Sequence, residues 1–240
     1  MARRHTDPVA EGALAVGREP EPVETELKLS ATSTAPLRRL AQVPMLGGTL
    51  LGAPKTYLEL DRYLDTDDGR LAAAKWACRL RSRSRTHRVS LKGPPVSSNE
   101  LGGALHRRPE IEGAASARPD PGAWPPSAAR DRLLELAGGR PLHEQLTLRQ
   151  RRTQRSVGVE QDRIGTLSLD RVLVVHEGEA VASLWCVELE LDDAAVATGD
   201  RIVTARLPGF LADLLGSGGL TIEPLTKLER ALELLGRARS

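Results

Sequence analysis

From Val23 to Ser30 the chain alternates strictly as V-E-T-E-L-K-L-S, the period of a strand with two unlike faces. Glu24, Glu26 and Lys28 share one face. A helix is predicted over Ala35 to Leu46, with Thr34 as cap, Pro36 in the first turn and Leu37, Leu40 and Ala41 at helical spacing; Pro44 is a point at which it can stop. A strand follows from Thr56 to Asp65, then a turn at Asp67, Asp68 and Gly69, and a second strand from Lys75 to Arg85. That strand sets Arg79, Arg81, Arg83 and Arg85 on one side and Cys78, Leu80, Ser82 and Ser84 on the other. A hairpin near Arg85 to His87 returns through V-S-L-K-G to Gly93, where Pro94 and Pro95 end it, with Arg88, Ser90 and Lys92 on one face.

The strand from Ala104 to Gly113 carries Arg108, Glu110 and Glu112 on one face. A Pro, Ala and Gly-rich connection runs from Ala114 to Pro126, and Ser127 caps a helix that Gly138 and Gly139 stop. Strands then span Leu142 to Gly158, Gly165 to His176 and Ala182 to Leu191. In the last, Cys186, Glu188, Glu190 and Asp192 oppose Trp185, Val187, Leu189 and Leu191. Helices are predicted over Ala194 to Leu215 and Thr226 to Leu235. About eight strands, mostly consecutive and without a crossover helix between each pair, imply a largely antiparallel sheet.

A chain of 240 residues suits one large domain, placed here at residues 22–237, behind a flexible tail over residues 1–21. Lys plus Arg number 34 against 32 Asp plus Glu, a net charge of +2, so any strong anion site must come from local arrangement rather than bulk charge. Cys78 and Cys186 lie far apart and read as reduced core thiols. After Arg3 and Arg4 the chain is broken by Asp7, Pro8, Glu11 and Gly12, with no apolar run fit for a signal peptide or for a membrane span; the expectation is a cytoplasmic protein that meets no membrane.

The polar faces are not ordinary mixtures. A single such strand also fits the solvated side of an antiparallel sheet. Taken together, however, the acids recur as E-x-E in Glu24/Glu26, Glu110/Glu112 and Glu188/Glu190. Like charges two apart on one face repel, and are tolerated when a cation sits between them; hard divalent ions take carboxylate oxygens while keeping water and phosphate oxygens as further ligands. The bases come as arginine ladders and single lysines, the fork and the point charge that suit phosphate. Closing the sheet into a barrel would put both sets inside one aqueous tunnel.

The opening E-T-E-L-K resembles the E-x-E-x-K signature of the CYTH family, the triphosphate tunnel metalloenzymes. The order of later motifs is similar to that family over nearly all of residues 23–235: Y-L-D-T at Tyr63, C-R-L-R with Arg79 and Arg81, S-L-K-G with Lys92 and R-P-E-I-E at Arg108. R-Q-R-R at Arg149, L-D-R-V with Asp170, V-E-L-E-L with Glu188 and Glu190, and T-K-L at Thr226 complete the series. The resemblance implies an α+β fold, a closed eight-stranded antiparallel barrel with helices packed outside, that binds a triphosphate-containing small molecule with Mg²⁺ or Mn²⁺.

Carried over by matched position, Glu24, Glu26, Glu110, Glu112, Asp170, Glu188 and Glu190 would hold metal. Lys28, Arg79, Arg81, Lys92, Arg108, Arg152 and Lys227 would hold phosphate oxygens. The family has one key Arg followed three residues later by an aromatic; that register selects Arg152, with Arg155 where the aromatic would stand, while strand alternation fits Arg149 and Arg151 equally well. Glu24 and Glu26 would be catalytic through a metal-activated water attacking a terminal phosphorus in line. The implied activity is hydrolysis of a short linear triphosphate, inorganic tripolyphosphate first. The alternatives are an organic triphosphatase, for thiamine or nucleoside triphosphate, an adenylate cyclase of the same family, or a non-catalytic polyphosphate or nucleotide-binding module.

Other patterns carry less. G-G-T-L-L-G-A-P-K-T from Gly47 imitates a phosphate loop but lacks the Gly-Lys junction. His87, His106, His143 and His176 are scattered. Arginines from Arg79 to Arg88 without interleaved aromatics argue against a nucleic-acid stripe, and Trp76 and Trp185 read as packing residues. An apolar barrel exterior would suit a homodimer.

Overall fold

The computed structural model describes residues 22–96, 100–158, 163–192 and 201–239. The tail assigned to residues 1–21 and the first turns of the helix expected from Ala194 lie outside them. The elements in chain order begin with β1 (Val23–Ala31), α1 (Ala35–Leu40), β2 (Met45–Leu46), β3 (Thr49–Leu50) and β4 (Lys55–Asp65). There follow α2 (Arg70–Ala73), β5 (Ala77–Arg83), β6 (Thr86–Lys92), β7 (Leu105–Ala114), α3 (Ala128–Ala137), β8 (His143–Val157), β9 (Gly165–His176) and β10 (Glu179–Leu191). The chain ends with α4 (Arg201–Gly216), β11 (Leu220–Ile222) and α5 (Lys227–Arg239).

Eight strands form a ring, β10-β9-β8-β4-β5-β6-β7-β1, closed by antiparallel pairing of β1 with β10; β11 is added to the free part of the β1 edge beyond β7. The closed antiparallel barrel expected from the sequence is therefore the observed fold. Alternation does the sorting. Residues at one parity pack outward under helices, and those at the other face the lumen.

Three apolar clusters support the ring. Leu27, Leu29, Leu167, Leu169, Val187 and Leu189 on the outside of β1, β9 and β10 pack with Leu37 and Leu40 of α1 and Phe210 and Leu214 of α4. Cys78, Leu80, Val89 and Leu91 of β5 and β6 pack with Trp76, Trp124 and, from α3, Leu133. In the third, lumen-facing Leu146, Leu148, Val172 and Val174 meet Ala231 of α5, with Leu228 and Leu234 against them, so α5 covers one end of the barrel. Burying one Leu in such a cluster is worth roughly 2 kcal/mol.

Several local expectations give way to tertiary detail. The first helix stops at Leu40, six residues before its expected end, because Pro44 lacks a donor and disfavours the helical region before it. Thr34 offers α1 no side-chain cap. The segment after Pro44 turns into the β2–β3 hairpin, whose two turn residues Gly47 and Gly48 hold φ of +53° and +73°, the left-handed pair that a tight two-residue hairpin requires. The phosphate-loop imitation is thus a hairpin. Arg85 is not on the arginine strand: β5 ends at Arg83, and Ser84, at φ +53°, starts the turn. By contrast, α3 begins and ends as expected, with Ser127 Oγ accepting from Arg130 N at 3.2 Å and Gly138 at φ +58° closing it.

Candidate functional site

Lumen-facing side chains surround a cavity of about 370 Å³. Its walls hold Glu24 and Glu26 from β1, Arg79 and Arg81 from β5, and Lys92 from β6. Arg108, Glu110 and Glu112 come from β7, Arg152 from β8, Glu188 and Glu190 from β10, and Lys227 from the first turn of α5. Every site residue named from the sequence lies on this wall except two. Lys28 lines a neighbouring cavity of about 400 Å³ beneath α5. Asp170 is fully buried behind Arg152 and Lys227.

Strand register pairs most of these charges with their opposites. Directly opposed pairs are Asp61 with Arg81, Glu59 with Arg83, Lys92 with Glu110, Arg152 with Asp170, Glu24 with Arg108 and Lys28 with Glu188. Two pairs break the rule: Arg81 faces Arg88, each relieved by its own acid, Asp61 and Glu112, and the second is a pair of acids. Glu26 stands directly opposite Glu190 on neighbouring strands, an arrangement that costs stability unless a cation offsets it.

On one side of the cavity Lys92 Nζ bonds both oxygens of Glu24, at 2.6 and 2.7 Å, and reaches Glu110 at 3.1 Å. Arg108 bridges Glu24 and Glu26 at 3.1 and 3.2 Å. Across the lumen Arg152 makes a two-pronged bond to Asp170, at 2.9 and 2.7 Å, and touches Glu188 at 3.2 Å; Lys227 Nζ reaches the same two acids at 2.5 and 2.8 Å. Both Asp170 oxygens are taken by these cations, so this carboxylate fixes their direction.

Charge states follow from this packing. Burial pushes Glu188 and Asp170 toward the neutral form, but the charges of Arg152 and Lys227 outweigh it and hold both carboxyls below their ordinary values. Glu24 is likewise held low, as Lys92 and Arg108 overcome its burial. Glu190 goes the other way. Although more than a third exposed at the cavity wall, it is pushed up to about 7, by the protein mass around it and then by Glu24, Glu26 and Glu110, against the pull of Lys92. Glu110 is raised too, burial and Glu24 prevailing over Lys92 and Arg79.

Glu190 and Glu110, both raised by burial and by the charge of Glu24, form with Glu26 a patch whose electrostatics a bound cation would relieve. The donors are hard oxygens, which suit a hard divalent ion that keeps water and phosphate oxygens among its ligands. Among the described residues no three His, Cys, Asp or Glu side chains converge as a ready-made metal cluster, because Lys92 and Arg108 lie between the acids. Residues able to hold such an ion are Glu24, Glu26, Glu110 and Glu190.

Sequence reading passed over three lumen residues. Glu59 and Asp61 of β4 and Gln150 of β8 support the arginine ladder: Arg81 makes a two-pronged bond to Asp61 at 2.7 Å for each prong, Gln150 Nε2 donates to Asp61 at 2.5 Å, and Arg83 pairs with Glu59. The signal was available, since E-L-D in β4 has the same spacing as the E-x-E pairs. The structure also resolves the R-Q-R-R cluster. Arg152 faces the lumen, whereas Arg149 and Arg151 are exposed on the barrel exterior. Arg155 also points outward, donating to the carbonyls of Gly52, Leu40, Val43 and Leu51 at 2.8, 3.0, 2.6 and 3.3 Å.

The pattern that defines the CYTH domain matches residues 23–209. The chain belongs to the CYTH family. Its fold is similar to that of an adenylyl cyclase candidate from Hippeastrum described as having dominant triphosphatase activity, at 18% identity and a TM-score of 0.60 over 88% of this chain and 95% of that one. It is also similar to an adenylate cyclase candidate from Bacillus halodurans, at 19% identity and a TM-score of 0.48 over 87% of this chain and 98% of that one. The triphosphatase of the Mimivirus capping enzyme gives 11% identity and a TM-score of 0.42 over 79% of this chain and 90% of that one. No curated protein matches the chain.

Proposed function

We propose that this protein hydrolyses a short linear triphosphate, inorganic tripolyphosphate first, with Mg²⁺ or Mn²⁺ as cofactor. The observation that carries the reading is the facing Glu26–Glu190 pair, set in one cavity with Arg79, Arg81, Lys92, Arg108, Arg152 and Lys227. Family membership and the activity described for the Hippeastrum relative support it. Glu24, Glu26 and Glu190 would hold the metal, with Glu110 beside them; Glu112 and Glu188 fit more distant, water-bridged roles. When bound, the metal would supply a water of lowered pKa and charge neutralisation on phosphoryl oxygens.

The chain's own cations do the rest. Arg79 and Arg81, fixed in direction by Ser90, Asp61 and Glu110, present forks that match phosphoryl oxygens. Arg152 and Lys227, held by Asp170, offset negative charge that spreads over the transferring and leaving groups. Enclosure by the barrel strengthens these interactions by limiting solvent screening.

A second reading, an organic triphosphatase or a cyclase, draws on the adjoining cavity of about 400 Å³, where Leu184, Trp185 and Leu225 lie beside Lys28 and Lys227. Incubating the protein with Mg²⁺ or Mn²⁺ and tripolyphosphate, thiamine triphosphate or ATP, then identifying the product, decides between them. Orthophosphate from tripolyphosphate as the fastest reaction supports the first reading. Preference for an organic substrate, or a cyclic nucleotide product, supports the second. Tight binding without turnover would leave a binding module.

A further inference from the structure

Three arginines stand together on the outer wall of the barrel, behind the lumen pair Arg152–Asp170. Arg151 of β8 and Arg171 of β9 are direct cross-strand partners, the neighbours in sequence of Arg152 and Asp170 and so on the opposite face of the same two strands. Arg38 of α1 joins them. Leu37 and Leu40 anchor that helix against Leu167 and Leu169 of β9, which brings Arg38 to the rim of a cavity of about 210 Å³ shared with Arg151, Arg171 and Thr153.

All three arginines are exposed, and among the described residues none lies within ion-pair distance of a carboxylate. Arg149, two residues along the same face, lines the adjoining groove and is likewise unpaired. Like charges directly opposed on neighbouring strands cost stability. Among the described residues, most other arginines on the barrel strands have an acid or carbonyl partner, so an unrelieved cluster here calls for an external anion. Guanidinium forks around a small cavity select a compact multivalent oxyanion, and Arg rather than Lys is the residue suited to gripping two oxygens at once.

We propose that Arg38, Arg151 and Arg171 form a second anion site, outside the tunnel, for a condensed phosphate of pyrophosphate size. It does not depend on the hydrolytic reading of the lumen. The R-Q-R-R segment then serves both faces of one wall, Arg152 inward and Arg151 outward.

Equilibrium dialysis of the full chain against pyrophosphate, in EDTA and low salt, tests this. The R151S/R171S variant should lose about tenfold or more in affinity, in keeping with the removal of two charge-assisted contacts, whereas R79A/R81A in the tunnel should retain the external binding. R151K/R171K, which keeps charge but not the fork, should fall between, and orthophosphate should bind more weakly than pyrophosphate. R38S, altered on an exposed helical position, gives the same reading if the double variant fails to fold. Metal-dependent phosphate release by R151S/R171S should match the parent. Equal pyrophosphate binding by the parent, R151S/R171S and R38S would overturn the proposal, as would loss of binding in R79A/R81A alone.

Discussion

Glu26 and Glu190 face each other in direct register across β1 and β10, whereas the other charged lumen residues of β1, Glu24 and Lys28, each face an opposite charge in Arg108 and Glu188. Burial at the cavity wall, and then the charges of Glu24, Glu26 and Glu110, push the Glu190 carboxyl up to about 7 against the pull of Lys92. Since this value is raised, the folded protein keeps the proton more tightly than the unfolded chain does. The contribution to stability is complete below the ordinary glutamate range and is lost as pH rises through about 7. Thermal melts of metal-free protein between pH 5 and 8 should therefore show the parent losing stability relative to E190Q. A divalent ion should reverse that loss, and its affinity should weaken as pH falls below about 7, where the proton competes. Melting curves of parent and E190Q that run parallel across this range would count against it.

Asp61 is the opposite case. It is buried, yet two prongs from Arg81, with Arg79 and Arg152 nearby, bring it down to about 2. Its contribution, about 2 kcal/mol, should be present above pH 4 and disappear as pH falls toward 2. Urea unfolding across pH 2 to 5 should show a shallower acid slope in D61N than in the parent. At neutral pH D61N should be less stable by about 3 kcal/mol, because Arg81 keeps a buried charge without its main partner.

Arg155 is a structural residue whose charge meets only carbonyls. Its guanidinium closes the end of α1 and the β2–β3 hairpin onto β8, and burial lowers its pKa. R155M should cost about 3 kcal/mol by leaving several acceptors unpaired, measured by chemical denaturation. Substrate affinity at a temperature where the variant is folded should be unchanged. A large rise in KM without loss of stability would place Arg155 in the site instead.

Lys28 carries a buried ammonium that makes no hydrogen bond and stands 3.3 Å from Glu26 Oε1. Glu26 keeps Arg108 if Lys28 is removed. K28M should therefore be neutral or stabilising by about 1 kcal/mol, while weakening phosphate-analogue binding about tenfold or more. Denaturation and binding titration together check this; strong destabilisation with intact binding would show that Lys28 serves the fold.

Much of the barrel was legible because strand alternation is a local property. Glu24, Arg79, Arg108 and Glu188 reach one lumen for the same reason that Leu27, Leu80 and Val187 reach the outer core: each parity has one environment. Where charge occupied both parities, as in R-Q-R-R, alternation could not tell the inward side chain from the outward ones. Glu59 and Asp61 had the right spacing but sat in a segment whose Arg62 and Lys55 blurred its two faces.

By itself the sequence determined the strands, their polar faces and the family, since these depend on residue order and on spacing of two. Tertiary structure decided which charges meet. Ring closure brings β1 against β10 and sets Glu26 opposite Glu190, and no local rule contains that register, which follows from packing and hydrogen bonding around the whole barrel. The same closure turned Arg152 inward onto Asp170 and left Arg151 and Arg171 together outside.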